Sequence, residues 1–104
     1  MSHELILENQ ETTEQKIARL FQERGRDDDE AKKLLINWMI EKEKLVRDSE
    51  DAIQFNLERA RLYLACGLKA EALENFHDAK NQAYQENRDE LCQMIEREIV
   101  EIEK

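Results

Sequence analysis

Over 104 residues the chain contains no proline and only two glycines, Gly25 and Gly67. Proline and glycine are the residues that most often interrupt helices, so little here breaks backbone hydrogen bonding within long segments. Ala, Glu, Lys, Leu and Arg together supply more than half of the residues, a mixture typical of long helices. Isoleucine and valine fall in phrases of helical period rather than in alternating runs, which argues against strands. The expected fold class is all-α, about five helices joined by short turns.

Start and stop signals place those helices. Thr12 and Gln15 form a capping box, and Ile17, Leu20 and Phe21 keep helical spacing up to Gly25, a natural stop. Asp27-Asp28-Asp29-Glu30 then sets acids at the start of a second helix, where the macrodipole favours them. Ala31, Leu34, Leu35, Trp38 and Leu45 share one face of it. Ile36, Met39 and Ile40 widen the stripe, so this helix is expected to touch more than one neighbour. Asp48-Ser49 caps a third helix, about 50–66, in which Ile53, Phe55, Leu57, Ala60, Leu62, Tyr63, Leu64 and Ala65 nearly encircle the axis. That pattern predicts the central, most buried element.

Gly67 ends the third helix. A fourth, about 69–85, directs Ala72, Leu73, Phe76, Ala79 and Ala83 inward, with Glu71, Glu74, Asn75, Asp78 and Gln82 expected outward. After Asn87-Arg88-Asp89 a last helix carries Leu91, Ile95, Ile99 and Ile102 on one stripe and charge elsewhere, as suits a terminal cap. Residues 1–11 lack a sustained period and are expected to fray. The domain reading is one helical unit over 12–104: a hairpin at 12–47, a hairpin at 49–86 and a capping helix at 88–104.

Within that plan a phrase recurs. Ala60-Arg-Leu-Tyr63, Gly67, Ala72, Phe76 and Ala79 is echoed in weaker form by Ala18-Arg-Leu-Phe21, Gly25 and Ala31. The second phrase resembles the tetratricopeptide repeat: a small residue and an aromatic three on in one helix, then alanine, aromatic and alanine in the next. Asn56, Arg59 and Tyr84 stand where that family has tryptophan, leucine and proline. The spacing from Gly25 to Gly67 also exceeds its usual period of about 34 residues.

The resemblance implies a function as well as a stack. In such repeats the first helix of each unit lines a concave face, which here assigns Gln15, Arg19 and Gln22 from one helix and Gln54, Leu57, Arg61 and Leu64 from another to a partner-binding groove. Arg19 and Arg61 fall at equivalent positions, and two guanidinium forks facing one groove suit a carboxylate. The alternative is that each pairs with a glutamate of its own helix, Glu23 or Glu58.

Charge narrows the partner. The net charge of −9, spread along the chain, disfavours nucleic acid and anionic membranes and suits a basic or mixed-charge protein surface. The start, Met-Ser-His3-Glu4-Leu5-Ile6-Leu7-Glu8, has no basic leader, so neither a signal peptide nor an anchor is expected. Cys66 and Cys92 lack paired spacing, and a chain this rich in Lys and Glu reads as reduced and cytoplasmic.

Chemistry is thin. His77 has Glu74 three residues back, half of an acid–base pair without a convergent second group, so no enzymatic role is expected. His3, Cys66, His77 and Cys92 show no chelating spacing, and no metal or cofactor is expected. Trp38 fits a core position by its register and a binding anchor by its type. The expected function is a protein–protein interaction module (an adaptor, chaperone or regulatory subunit) gripping a peptide or helix, with homo-oligomerisation open because two repeats are few. The alternative is an acidic inhibitor or immunity-type protein acting by charge mimicry, against which Glu41-Lys42-Glu43-Lys44 alternates its signs.

Overall fold

The computed structural model describes residues 10–104. His3 and most of the stretch expected to fray lie outside them. The described residues form five helices and no strand: α1 Thr13–Arg24, α2 Asp29–Glu43, α3 Ser49–Ala65, α4 Lys69–Gln85 and α5 Asp89–Glu103. The all-α class and the stacked antiparallel hairpins are thus observed. Helix α1 pairs with α2, both meet α3, and α3, α4 and α5 pack in succession. The stack is elongated, 50 × 29 × 26 Å. Its radius of gyration is 15.5 Å, against about 13 Å for a spherical domain of this length.

Local chemistry explains the boundaries. The Thr12 hydroxyl accepts from the Gln15 backbone N–H at 3.0 Å while the Gln15 side chain accepts from the Thr12 N–H at 2.9 Å, a reciprocal capping box. Asp28 and Asp48 cap α2 and α3 through single carboxylate bonds to Ala31 and Asp51. At the other end of α3, Gly67 takes φ +81° and allows Leu68 N–H to reach the Tyr63 carbonyl and Gly67 N–H to reach that of Leu64. Asn87, at φ +57°, closes α4 with the same pair of bonds, from Arg88 to Ala83 and from Asn87 to Tyr84. Asparagine is the side chain that best tolerates this left-handed conformation, which is why the α4–α5 turn needs no glycine.

Two apolar clusters share α3. One joins Ile53, Leu57 and Ala60 to Ala72, Phe76, Ala79 and Ala83 of α4 and to Leu91, Ile95 and Ile99 of α5. The alanines bring α3 and α4 close, and Phe76 fills the space between them. The other joins Ile17, Leu20 and Phe21 of α1 and Ala31, Leu35 and Trp38 of α2 to Leu62 and Cys66 at the end of α3. Tyr63 packs against both. A central α3 is therefore observed, although Leu64 is 39% exposed and leaves its apolar girdle incomplete.

Three expectations are corrected. Helix α2 does touch two neighbours, α1 and α3, and Met39 is partly buried there, but Ile36 and Ile40 are 50% and 48% exposed and point to solvent. Leu45 is also exposed and lies past the end of α2, off the shared face. Asn75 is buried rather than outward, and so is Asn56. The Asn56 amide donates to Gln82 Oε1 at 2.7 Å. Arg59 donates to Asn56 Oδ1 at 2.7 Å and to Asn75 Oδ1 at 2.6 Å, and the Asn75 amide donates to the Glu71 carbonyl at 2.8 Å. A polar chain thus runs across the α3–α4 interface beside its apolar core, with Arg59 lying over the Phe55 ring at 4.8 Å.

Candidate functional site

Helix α1 meets α3 directly, and α5, packed on α4, reaches α3 through side chains such as Glu98. Between α1 and α3 lies a cleft of about 430 Å³. Ala18, Trp38, Leu62 and Ala65 give it apolar walls, and Glu14, Gln15, Lys42, Glu58 and Arg61 edge it. Between α3 and α5 lies a second, of about 390 Å³, with Leu64, Phe76, Met94 and Ile102 as its apolar part and Arg61, Arg97, Glu98 and Glu101 around it. Arg61 borders both. Its guanidinium donates to both oxygens of Glu98 on α5, at 3.1 to 3.3 Å, so one ion pair marks the ridge between the two clefts.

The residues assigned to the groove from sequence divide among several places. Gln15 and Arg61 meet at the first cleft, and Leu64 lies in the second. Gln22 donates its amide to the Ala65 carbonyl at 2.7 Å, satisfying an acceptor in the last turn of α3 and stitching α1 to it. Gln54 borders a separate and smaller hollow of about 140 Å³ with Leu45, Val46 and Phe55. Leu57 is 1% exposed and belongs to the core, because its position on α3 faces the α4 and α5 residues of the first cluster.

Arg19 and Arg61 are both already engaged. Arg19 grips Glu11 with two parallel bonds, 2.8 and 3.1 Å, and reaches Glu23 at 3.2 Å. That grip holds the Glu11 carboxyl below the ordinary carboxylate range and raises the Arg19 guanidinium further above its own. Glu23 is the own-helix partner weighed for Arg19. Arg61, however, pairs with Glu98 instead of Glu58, which lies 3.5 Å from Lys42. A shared anion clamp therefore requires breaking three existing pairs, two at Arg19 and one at Arg61.

Residues of α5 line the second cleft and Trp38 the first, neither of which the sequence assigned to the groove. Trp38 is buried yet borders the first cleft, stacked on Phe55 with ring centroids 6.4 Å apart and with Lys42 Nζ 5.8 Å from its ring. The core reading of Trp38 is the one observed. Met94 was the available signal for α5, an apolar residue beside the buried stripe and 45% exposed.

Elsewhere there is little chemistry. Burial pushes the Cys66 thiol up to about 11, away from nucleophilic reactivity. Cys92 donates its S–H to the Lys80 carbonyl, and His77 is exposed on α4. Among the described residues no cluster of three or more His, Cys, Asp or Glu is arranged to hold a metal ion, and no helix is long and apolar enough to cross a membrane. Comparison with family models, curated proteins and solved structures gives no match to this chain.

Proposed function

We propose that this chain is a small protein–protein interaction module, built like a repeat-type adaptor, that seats a peptide or helix along the face made by α1, α3 and α5. The observation that carries this is the pair of adjoining clefts with apolar walls and mixed-charge rims, meeting at Arg61. An apolar floor flanked by paired charges is what helix-in-groove recognition uses: anchors enter the pockets and the rim sets register. Each cleft has room for one large apolar side chain. Two such anchors on one helix would straddle the Arg61–Glu98 pair.

Charge mimicry draws less support. Carboxylates along this face are interleaved with cations, as in Lys42–Glu58 and Arg61–Glu98, and do not form a uniform anionic strip. The test is affinity capture from cells that express the chain, comparing the parent with Ala65→Trp, which fills the first cleft, and Met94→Arg, which charges the second. A protein held by the parent, weakened at least about tenfold by both variants and retained at raised salt supports the groove. The groove reading is refuted if that protein binds both variants equally well. Release by salt alone favours the mimic.

A further inference from the structure

Beyond the face that carries the two clefts, we propose that the outward side of α2 is a self-association surface on which a second copy of this chain packs its own α2 antiparallel, about a two-fold axis. The seam consists of Lys33, Ile36, Ile40 and Glu43. Their spacing of three, four and three residues is that of a coiled-coil seam, and all four are exposed. The core face of the same helix, with Ala31, Leu35 and Trp38, points the other way.

Isolated surface isoleucines need no explanation, but the charges around this pair do. Within α2 and its caps, Glu30 pairs with Arg24, Lys32 with Asp27, Lys42 with Glu58 and Lys44 with Glu41. Asp29, Lys33 and Glu43 have no ion-pair partner among the described residues; Asp29 lies in the first turn of α2, and Lys33 and Glu43 flank the isoleucines. Read along the helix, the seam runs cation, isoleucine, isoleucine, anion. Turned end for end it is its own complement. In an antiparallel pair Ile36 meets Ile40 of the second copy, and Lys33 meets Glu43 of the second copy, twice over by symmetry. A parallel pair would set Lys33 against Lys33 and Glu43 against Glu43. The charges therefore choose the orientation as well as the occupant.

The 15 residues of α2 span about 22 Å, so the contact is shorter than a standard interface and the association is weak and concentration-dependent.

Sedimentation velocity of the full chain, over concentrations up to about 1 mM, reads this directly. The parent is expected to shift reversibly from monomer to dimer. Lys33→Glu and Glu43→Lys each weaken that shift at least about tenfold, because each sets like charges face to face twice. The double variant, with both substitutions, restores it to within about threefold of the parent, since the two-fold pairing is re-formed with signs exchanged. Ala65→Trp, in the first cleft, leaves it unchanged, which separates this surface from the groove. All four side chains are exposed, so the helical signal of each variant should match the parent. A parent that stays monomeric throughout overturns the proposal, and so does a double variant as weak as either single one.

Discussion

Arg59→Met is the perturbation that best tests how α3 and α4 are held. Methionine keeps most of the stem that lies over Phe55 but removes both donors. Two buried acceptors then lose their partner, Asn56 Oδ1 and Asn75 Oδ1, which now receive bonds of 2.7 and 2.6 Å. An orphaned buried acceptor costs about 1–3 kcal/mol, and the lost cation–π contact adds about 0.5–1 kcal/mol. Arg59 is only partly buried, so water recovers some of this, and the expected loss is about 2–3 kcal/mol. At roughly 4–8 °C per kcal/mol for a domain of this size, melting should fall by roughly 10–20 °C.

The informative comparison is the triple variant Asn56→Leu, Arg59→Met, Asn75→Leu. It removes the network as a unit and leaves no orphan in the interface, because Gln82 is near enough to solvent to turn towards water. Replacing both partners of a buried bond by apolar groups is close to neutral, so the triple variant should lie within about 1 kcal/mol of the parent, above the single one. Urea unfolding followed by far-ultraviolet circular dichroism measures all three chains. An Arg59→Met chain within about 0.5 kcal/mol of the parent, or a triple variant less stable than the single, would refute the reasoning.

Phe76→Ala should cost about 3–5 kcal/mol in the same assay, since Phe76 is almost fully buried between the alanines of α4 and Ala60 of α3; an unchanged midpoint would mean that the Ala/aromatic packing does not hold the hairpin. Cys66, with its thiol raised to about 11 from an ordinary value of 9.0, should alkylate far more slowly in a Cys92→Ser chain at neutral pH than after unfolding. Its folded state holds the proton more tightly, so this contribution to stability is full below about pH 9 and is lost as pH rises through about 11. Labelling of native Cys66 at the unfolded rate would contradict its burial.

What the sequence made legible, and what it hid, follows from how side chains sit around a helix. Helix ends were readable because capping is local: Thr12 with Gln15, Asp28 with Ala31 and Gly67 with Tyr63 and Leu64 all act within a few residues. The α3–α4 core was readable because alanine and aromatic side chains at helical spacing have few other uses. The errors came from trusting residue type over angular position. At 100° per residue, Ile36 and Ile40 lie about 140° and 180° round α2 from the buried Ala31, so geometry alone turns them outward. Asn75 lies only about 60° from the buried Ala72, on the edge of the α4 core stripe, so geometry turns it inward. Partners were a different matter, since Arg61 finds Glu98 thirty-seven residues away and only the packing of α5 on α4 brings them together. The two kinds of misplaced residue have opposite consequences. A buried asparagine must find hydrogen bonds inside, which ties α3 to α4 in one register. An exposed isoleucine pair gains only by being covered, and on α2 the charges beside it match the same seam reversed.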